Sequence, residues 1–227
     1  MKVSGARRLA AEFLGTAFLL AAVVGSGIMA ERLAQGNVAL ALLANALASG
    51  AALTALILTF GWVSGAHFNP MVTLVDAGLS GTEWKMVPGY VVAQVAGAFS
   101  GVVAAHAMFG LPAFTASQHV RNGGGQILSE IIATLGLLLV IVGCSRRNAA
   151  STAYAVGGYI TAAYWFTAST SFANPAVTLA RCFTNTFAGI RPADAPAFIA
   201  AQILAGMLAV YLTRWLFAAD NLAEVGR

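Results

Sequence analysis

The sequence has few charged residues. Only 9% of its 227 residues are Asp, Glu, Lys or Arg, whereas 59% are hydrophobic, and the mean hydropathy is +0.80. A soluble domain normally carries about 25% charged residues. This chain therefore has too little polar surface to remain in water alone, and its composition predicts a membrane protein.

Cysteine is also scarce, and residue patterns typical of catalysis are missing. Cys144 and Cys182 are too few for a disulfide framework and lack the spacing of a metal site. The sequence shows no nucleophile–base pair, phosphate-binding loop or metal-ligand cluster, so no residues support an enzyme, a metal or a cofactor. The net charge of +4 does not indicate nucleic-acid binding, because the basic residues stand singly or in pairs at the ends of apolar runs.

Long apolar segments dominate the remainder of the chain. A membrane-spanning helix needs about 20 mostly apolar residues. Lys2, Arg7 and Arg8 precede the first such segment and are compatible with a signal peptide, but Glu12 within the segment and the further spans favour a retained helix. Six segments have the required length, at approximately 9–30, 38–62, 86–109, 126–144, 150–168 and 196–218.

Two shorter apolar pieces, 68–79 and 173–186, each contain an Asn-Pro pair near their start. The first pair is Asn69-Pro70 and the second is Asn174-Pro175. Asparagine is a good N-cap, and proline is tolerated in the first turn of a helix because its missing N–H would be unpaired there. Both pieces are therefore predicted to be half-helices that begin at these pairs and do not cross the membrane.

The two halves of the chain repeat one pattern, a helix with Glu, a helix, a half-helix and a helix with Gln. Glu12 corresponds to Glu130, and Gln94 corresponds to Gln202. Three spans per unit is an odd number, so the second copy must enter the membrane from the opposite side, as in inverted-repeat transport proteins. The pattern predicts one channel domain, residues 1–227, with repeats at approximately 1–110 and 125–227 and a linker at 111–124.

The basic residues near span ends predict the orientation. Cytoplasmic loops carry an excess of Lys and Arg. With the N-terminus inside, the outer loops hold only Arg32, Arg121 and Arg191, so both termini are expected in the cytoplasm. The inner loops and tails then hold Lys2, Arg7, Arg8, Lys85, Arg146, Arg147, Arg214 and Arg227.

Two half-helices that meet inside the membrane would create a polar point in an apolar tube. Non-helical backbone at membrane depth is tolerated only where protein buries it or a wet cavity borders it. Each helix N-terminus carries roughly half a positive charge, so two of them repel cations. The side-chain amides of Asn69 and Asn174 can donate hydrogen bonds to a hydroxyl or water oxygen. These features predict a pore for neutral solutes.

These residues resemble those of the aquaporin, or major intrinsic protein, family. The resemblance covers essentially the whole chain, through Ala11-Glu12-Phe13, the stretch from Ser64 to Pro70, Ala93-Gln94 and Asn174-Pro175-Ala176. It implies an all-α membrane protein with six transmembrane helices and two re-entrant half-helices in an inverted repeat. It also implies a homotetramer in the cell membrane with one pore per subunit, whose partners are the lipid bilayer and small neutral solutes.

The departures from the family pattern concern the filter. The first motif reads Asn69-Pro70-Met71 instead of ending in alanine, as the second does at Ala176. Most of the family has an arginine third after the second asparagine, where this chain has Val177. The other filter positions, counted back from the two asparagines, fall on Ser49, Ala162 and Ser171. The resemblance thus implies a wide, weakly polar filter that passes glycerol, water and metalloid hydroxides such as arsenite.

Four further residues have both a functional and a structural interpretation. Arg181 either replaces the missing charge in the vestibule or extends to the membrane interface. His67 either forms part of the pore wall or gates the pore with pH. Glu12 and Glu130 either couple protons or hold the backbone of the re-entrant loops by hydrogen bonds, and the symmetry and the resemblance favour holding.

Two other functions fit the same pattern. A water-selective channel would share the fold, although the bulky filter residues typical of it are missing. An ion-coupled secondary transporter also uses inverted repeats and broken helices, but it needs a coupling-ion site, and the two buried carboxylates already have a structural role.

Overall fold

The structure, a computed structural model, describes residues 3–217 and contains no β-strand within that range. The basic residues used to predict the orientation include Lys2 and Arg227, which lie outside the described residues. Helices account for most of the described chain, and short loops or single 3₁₀ turns connect them. They are α1 Gly5–Leu33, α2 Val38–Ser64, α3 Pro70–Gly78, α4 Val87–Met108, α5 Gly124–Arg147, α6 Ala149–Phe166, α7 Pro175–Arg181 and α8 Ala195–Leu216.

Six of these helices are long and two are short, which confirms the predicted fold class. By length and composition, α1, α2, α4, α5 and α8 are apolar enough to cross a membrane. Helix α6 has 18 residues, and its tyrosines and glycines lower its hydropathy. It nevertheless packs against both α2 and α5 and so completes the set of six.

The short helices begin where the Asn-Pro pairs predict. Asn69 Oδ1 accepts a hydrogen bond from the backbone N–H of Met71 at 2.9 Å, and Asn174 Oδ1 accepts one from Ala176 at 3.0 Å. Proline occupies the first helical position in each. The predicted end of the second piece at 186 is wrong, because α7 ends at Arg181 and the chain then folds back.

Glycines allow the long helices to approach closely. A Cβ atom at Gly97 of α4 would collide with the carbonyl oxygen of Phe13 in α1. At the contact between α2 and α6, a Cβ at Gly50 would lie 2.7 Å from the carbonyl oxygen of Gly157. A Cβ at Gly157 would lie 2.7 Å from the carbonyl oxygen of Gly50. Small residues at these crossings are typical of membrane helix packing. The Gly50–Gly157 contact holds α2 of the first half against α6 of the second, whereas Gly97 lets α4 pack on α1 within the first half.

Candidate functional site

A cavity of about 1220 Å³ runs through the helix bundle. Its lining begins with Arg8 near the start of α1, passes both asparagines of the Asn-Pro pairs and includes Arg181 at the end of α7. The wall between these points is mixed, with apolar residues of α2, α5 and α6 on one side and the two re-entrant turns on the other. The re-entrant turns therefore lie beside a continuous space instead of being buried on all sides.

The two asparagines connect the turns to each other. Asn69 Nδ2 donates to the carbonyl oxygen of Ala173 at 2.7 Å, and Asn174 Nδ2 donates to that of Phe68 at 2.8 Å. Each side chain thus caps its own half-helix and holds the opposite turn. An amide nitrogen carries two N–H groups, so each asparagine retains one donor for the cavity that it lines.

The backbone of both turns adopts a conformation that side chains disfavour. Phe68 and Ala173 each have φ of 49°, and Ser171 has φ of 53°. Non-glycine residues in this left-handed region cost of order 1–3 kcal/mol each and persist only where surrounding contacts impose them. The contacts that impose this conformation come from Glu12 and Glu130.

Glu12 lies fully buried beneath the first turn. Its Oε1 accepts hydrogen bonds from the backbone N–H of His67 at 3.0 Å and from Ser64 Oγ at 2.6 Å. Its Oε2 accepts from the N–H of Phe68 and from Gln94 Nε2, both at 2.7 Å. Three of these bonds hold the turn that precedes Asn69, and the fourth connects Glu12 to Gln94 of α4.

Glu130 makes the corresponding set beneath the second turn. Its two carboxylate oxygens accept from the N–H groups of Phe172 and Ala173, both at 2.9 Å, and Oε2 also accepts from Gln202 Nε2 at 2.7 Å. Gln202 Nε2 also donates to Thr178 Oγ1 at 2.9 Å, as Gln94 donates to Thr73 in the first half. The same side chains therefore perform the same task in each repeat.

His67 lines the cavity and contacts residues of α3 and α4. Its Nδ1 lies 3.0 Å from Thr73 Oγ1, and its Nε2 lies 3.7 Å from an Asp76 carboxylate oxygen. The ring also lies beside that of Tyr90, with centroids 5.4 Å apart. These contacts fix the imidazole in the wall of the cavity.

Three of the four predicted filter residues line the same cavity. Ser49, Ser171 and Val177 are buried and line the cavity. Ser49 Oγ accepts a hydrogen bond from Tyr164 Oη at 3.2 Å. Met71 does not line the cavity; it packs against Gly206 of α8, where a Cβ would collide with its terminal methyl.

Ala162 is a correction, because it does not border the cavity. Its side chain is exposed on the outer face of α6, along with Tyr154. Ile160 and Tyr164 of the same helix line the cavity instead. Two residues along an α-helix turn the side chain by about 200°, so a position counted two residues away falls on the opposite face.

Arg181 is buried, with 2% of its surface exposed, and it lines the cavity. It does not extend to an exposed interface. Its Nε donates to the carbonyl oxygen of Ala188, and its guanidinium carbon lies 3.4 Å from the centre of the Phe172 ring. The backbone therefore folds back over the end of α7 to hold this charge against the second turn.

Sequence reasoning missed Arg121, Phe172 and Tyr164. Phe172 had a usable signal, because it occupies in the second repeat the place of His67 in the first. Arg121 lies in the segment predicted to be a simple linker, and nothing near it in sequence distinguishes it from other loop arginines. In the structure it is buried with 8% of its surface exposed, also beside Phe172.

The fold and the site define a multi-pass membrane protein whose two re-entrant half-helices meet beside a cavity through the bundle. Comparison with known proteins agrees: the family model described as "Major intrinsic protein" matches residues 1–151. Aquaglyceroporin AqpS of Rhizobium meliloti (strain 1021) is 55% identical over 211 residues, which cover 92% of this chain and 90% of that protein.

Two more distant proteins agree with this result. The probable glycerol uptake facilitator protein of Thermotoga maritima is 30% identical over 155 residues, 62% of this chain and 65% of that protein. The X-ray structure of the aquaglyceroporin from Plasmodium falciparum superimposes with a TM-score of 0.72 at 21% identity, covering 95% of this chain and 98% of the other, and so shows the shared fold. The chain belongs to the major intrinsic protein family, which confirms the predicted resemblance and a channel rather than an enzyme.

Proposed function

We propose that the protein is a passive channel for small uncharged solutes of the size of glycerol. The observation that carries this proposal is the continuous cavity bordered by both asparagine amides and, at the filter, by Ser49, Ser171 and Val177. Two serines and a valine leave more room than bulky side chains would. The names of the similar proteins, an aquaglyceroporin and a probable glycerol uptake facilitator, support the same solute class.

The polar groups along the cavity suit a solute with hydroxyl groups. Asn69 and Asn174 each retain an N–H donor, and Ser171 Oγ is buried without a hydrogen-bond partner among the described residues. The facing wall contributes apolar side chains such as Leu53 and Ile160. A polyol presents oxygens to the first wall and carbon to the second, whereas an ion would lose its hydration without replacement.

The same opening admits uncharged metalloid hydroxides such as arsenite, and it is Val177 that motivates this second solute. An arginine at this position would narrow the passage and favour water. If the protein is instead a water-selective channel, vesicles that contain it should admit water but neither glycerol nor arsenite.

The first experiment compares solutes across proteoliposomes that contain the whole chain. Light scattering measures water and glycerol flux, and uptake measures urea and arsenite. Val177→Arg is expected to reduce glycerol permeability more than water permeability, since the added side chain narrows the filter. Val177→Leu is the matched control for added size without charge and should change the ratio less. Equal loss of both fluxes in Val177→Arg would count against the open filter.

A second experiment separates the channel from an ion-coupled transporter. With an imposed proton or sodium gradient, a passive channel equilibrates glycerol and stops. Accumulation of glycerol above the outside concentration would refute the passive channel.

We also propose that the protein forms a homotetramer and that both termini lie in the cytoplasm. Large exposed apolar side chains away from the cavity, such as Phe18, Tyr211 and Trp215, suit contact with lipid or with other subunits of a homotetramer. The basic residues that the structure describes support cytoplasmic termini in the inner cell membrane. Cross-linking in membranes tests the homotetramer, and labelling of cysteines introduced in the loops tests the orientation.

A further inference from the structure

Among residues 3–217, the charge of Arg181 has no ion-pair partner, although the carboxylate of Glu130 lies near enough to attract it. Its guanidinium carries five N–H donors, of which only the one at Nε has a hydrogen-bond partner among the described residues, the carbonyl of Ala188. A buried charge is costly unless it is paired and hydrogen-bonded. The remaining donors belong to a side chain that lines the cavity.

An aromatic ring holds Arg181 in place. The Phe172 ring lies 3.4 Å from the guanidinium carbon of Arg181 and 5.0 Å from that of Arg121. Such contacts between a cation and an aromatic face are favourable, more so where water is excluded. Phe172 is in turn fixed by Phe198, with ring centres 5.3 Å apart and planes at 80°.

Arg121 is anchored by oxygens of the protein. Its Nε donates to the carbonyl of Gly189 at 2.8 Å, its Nη1 donates to that of Ser169 at 3.2 Å, and its backbone N–H donates to Asp194 at 2.9 Å. Burial and the neighbouring charge of Arg181 lower the pKa of Arg121 to about 9, which leaves it protonated at neutral pH. Two positive charges therefore lie near one end of the cavity, and the one that borders the cavity retains free donors.

A second observation points to a ligand at this place. Ser171 precedes Phe172, lines the cavity and is 96% buried, since only 4% of its surface is exposed. Its hydroxyl has no partner among the described residues. The Ser171 hydroxyl and the unpaired N–H groups of Arg181 belong to side chains that line one cavity, where a solute hydroxyl can accept from the guanidinium and donate to the serine.

We propose that Arg181 is the specificity-determining cation of the filter: together with Ser171 it binds solute hydroxyl oxygens and repels cations. Arg181 lies four residues after Val177, so it falls on the same helix face about one turn further along. The charge is thereby displaced from the narrow point of the passage, and the filter excludes cations while leaving room for a polyol. This inference rests on the proposed channel function.

The test measures two fluxes in proteoliposomes, glycerol and a cation. Arg181→Met keeps much of the side-chain length and removes the charge. Sodium and proton leak should rise about tenfold, because a unit charge a few ångströms from the path contributes at least that factor at an effective dielectric constant near 20. Glycerol permeability should fall relative to water, and Arg181→Lys should retain most of the cation exclusion.

A displaced charge provides the sharpest comparison. The double variant Val177→Arg with Arg181→Met returns a charge to the filter one turn away. It should restore cation exclusion and reduce glycerol flux below that of Arg181→Met alone. If Arg181→Met does not fold, Arg181→Gln, which retains a donor for Ala188, serves in its place.

The outcomes separate this inference from the channel proposal. A folded neutral variant with wild-type cation leak and an unchanged glycerol-to-water ratio would overturn the role of Arg181 while glycerol flux through the wild-type protein still supports a channel. Wild-type vesicles that pass glycerol no faster than empty ones would instead refute the channel itself.

Discussion

Replacement of Glu12 by glutamine tests whether the buried carboxylates hold the turns or couple ions. The carboxylate accepts four hydrogen bonds, two at each oxygen: Ser64 and His67 at Oε1, Phe68 and Gln94 at Oε2. Glutamine has the same shape, but one of its two terminal atoms is an NH₂ group that cannot accept. Whether the NH₂ group takes the place of Oε1 or of Oε2, it faces two groups that also donate hydrogen bonds.

The expected loss of stability depends on which of the four donors can rearrange when the NH₂ group replaces an acceptor. The Ser64 hydroxyl can rotate, and Gln94 Oε1, which has no partner among the described residues, can turn to accept. The backbone N–H groups of His67 and Phe68 cannot change. One of them remains buried and unpaired in either orientation, at a cost of about 1–3 kcal/mol. Because Phe68 is held in a disfavoured backbone conformation, the turn should also relax and glycerol permeability should fall.

Thermal unfolding in detergent measures the first effect and light scattering of proteoliposomes the second. Glu130→Gln should give a loss of similar size, since Phe172 and Ala173 present the same problem. Glu31→Gln, on the exposed side of α1, is the matched control and should change stability by less than about 0.5 kcal/mol. If Glu12→Gln keeps wild-type stability but alters the response to a proton gradient, the structural role is refuted and the carboxylate is a coupling site.

Two further predictions concern packing and pH. Gly50→Ala should destabilise the folded protein by about 1–3 kcal/mol in thermal unfolding, since its Cβ would meet α6; Gly61→Ala, with no atom within 4 Å, is the control and should not. Burial opposes ionisation of Asp194, but hydrogen bonds from Arg191 and Arg121 outweigh it and lower the pKa of Asp194 below its ordinary value of 3.8. Because the pKa is depressed on folding, the ionised carboxylate stabilises the protein above pH 3.8 and this contribution is lost at lower pH. The difference in unfolding temperature between wild type and Asp194→Asn should be present at pH 7 and shrink below about pH 4; an equal difference at pH 3 would contradict it.

Much of the fold could be predicted because its signals are local. The spans follow from runs of apolar residues, and the starts of α3 and α7 follow from an N-cap asparagine and a proline. The end of α7 could not be predicted in the same way. The carbonyl of Arg181 accepts from the N–H of Ile190 at 3.2 Å, so the helix ends at a contact with a later segment, which is not a local signal.

The site was predictable where a residue lies in the motif itself and less so where its position had to be counted along a helix. Ser171 and Val177 lie within three residues of Asn174 and reach the cavity. Ala162 lies on another helix, where an error of two residues reverses the face. Arg121 reaches the site only through the folded path of residues 109–123, which pairs with the segment after α7.

The repeat separates residues that build the frame from those that make the two ends of the cavity different. Glu12 and Glu130 each accept hydrogen bonds from two backbone N–H groups of a turn and from a glutamine, and so they account for two equivalent turns. The matched positions His67 and Phe172 differ: the first contacts Thr73 and lies near Asp76, whereas the second contacts two arginines. A symmetric frame alone would give a pore with identical ends. The selectivity of this protein should therefore respond to substitutions of His67, Phe172 and their neighbours. Substitutions of Glu12 and Glu130 should mainly lower stability.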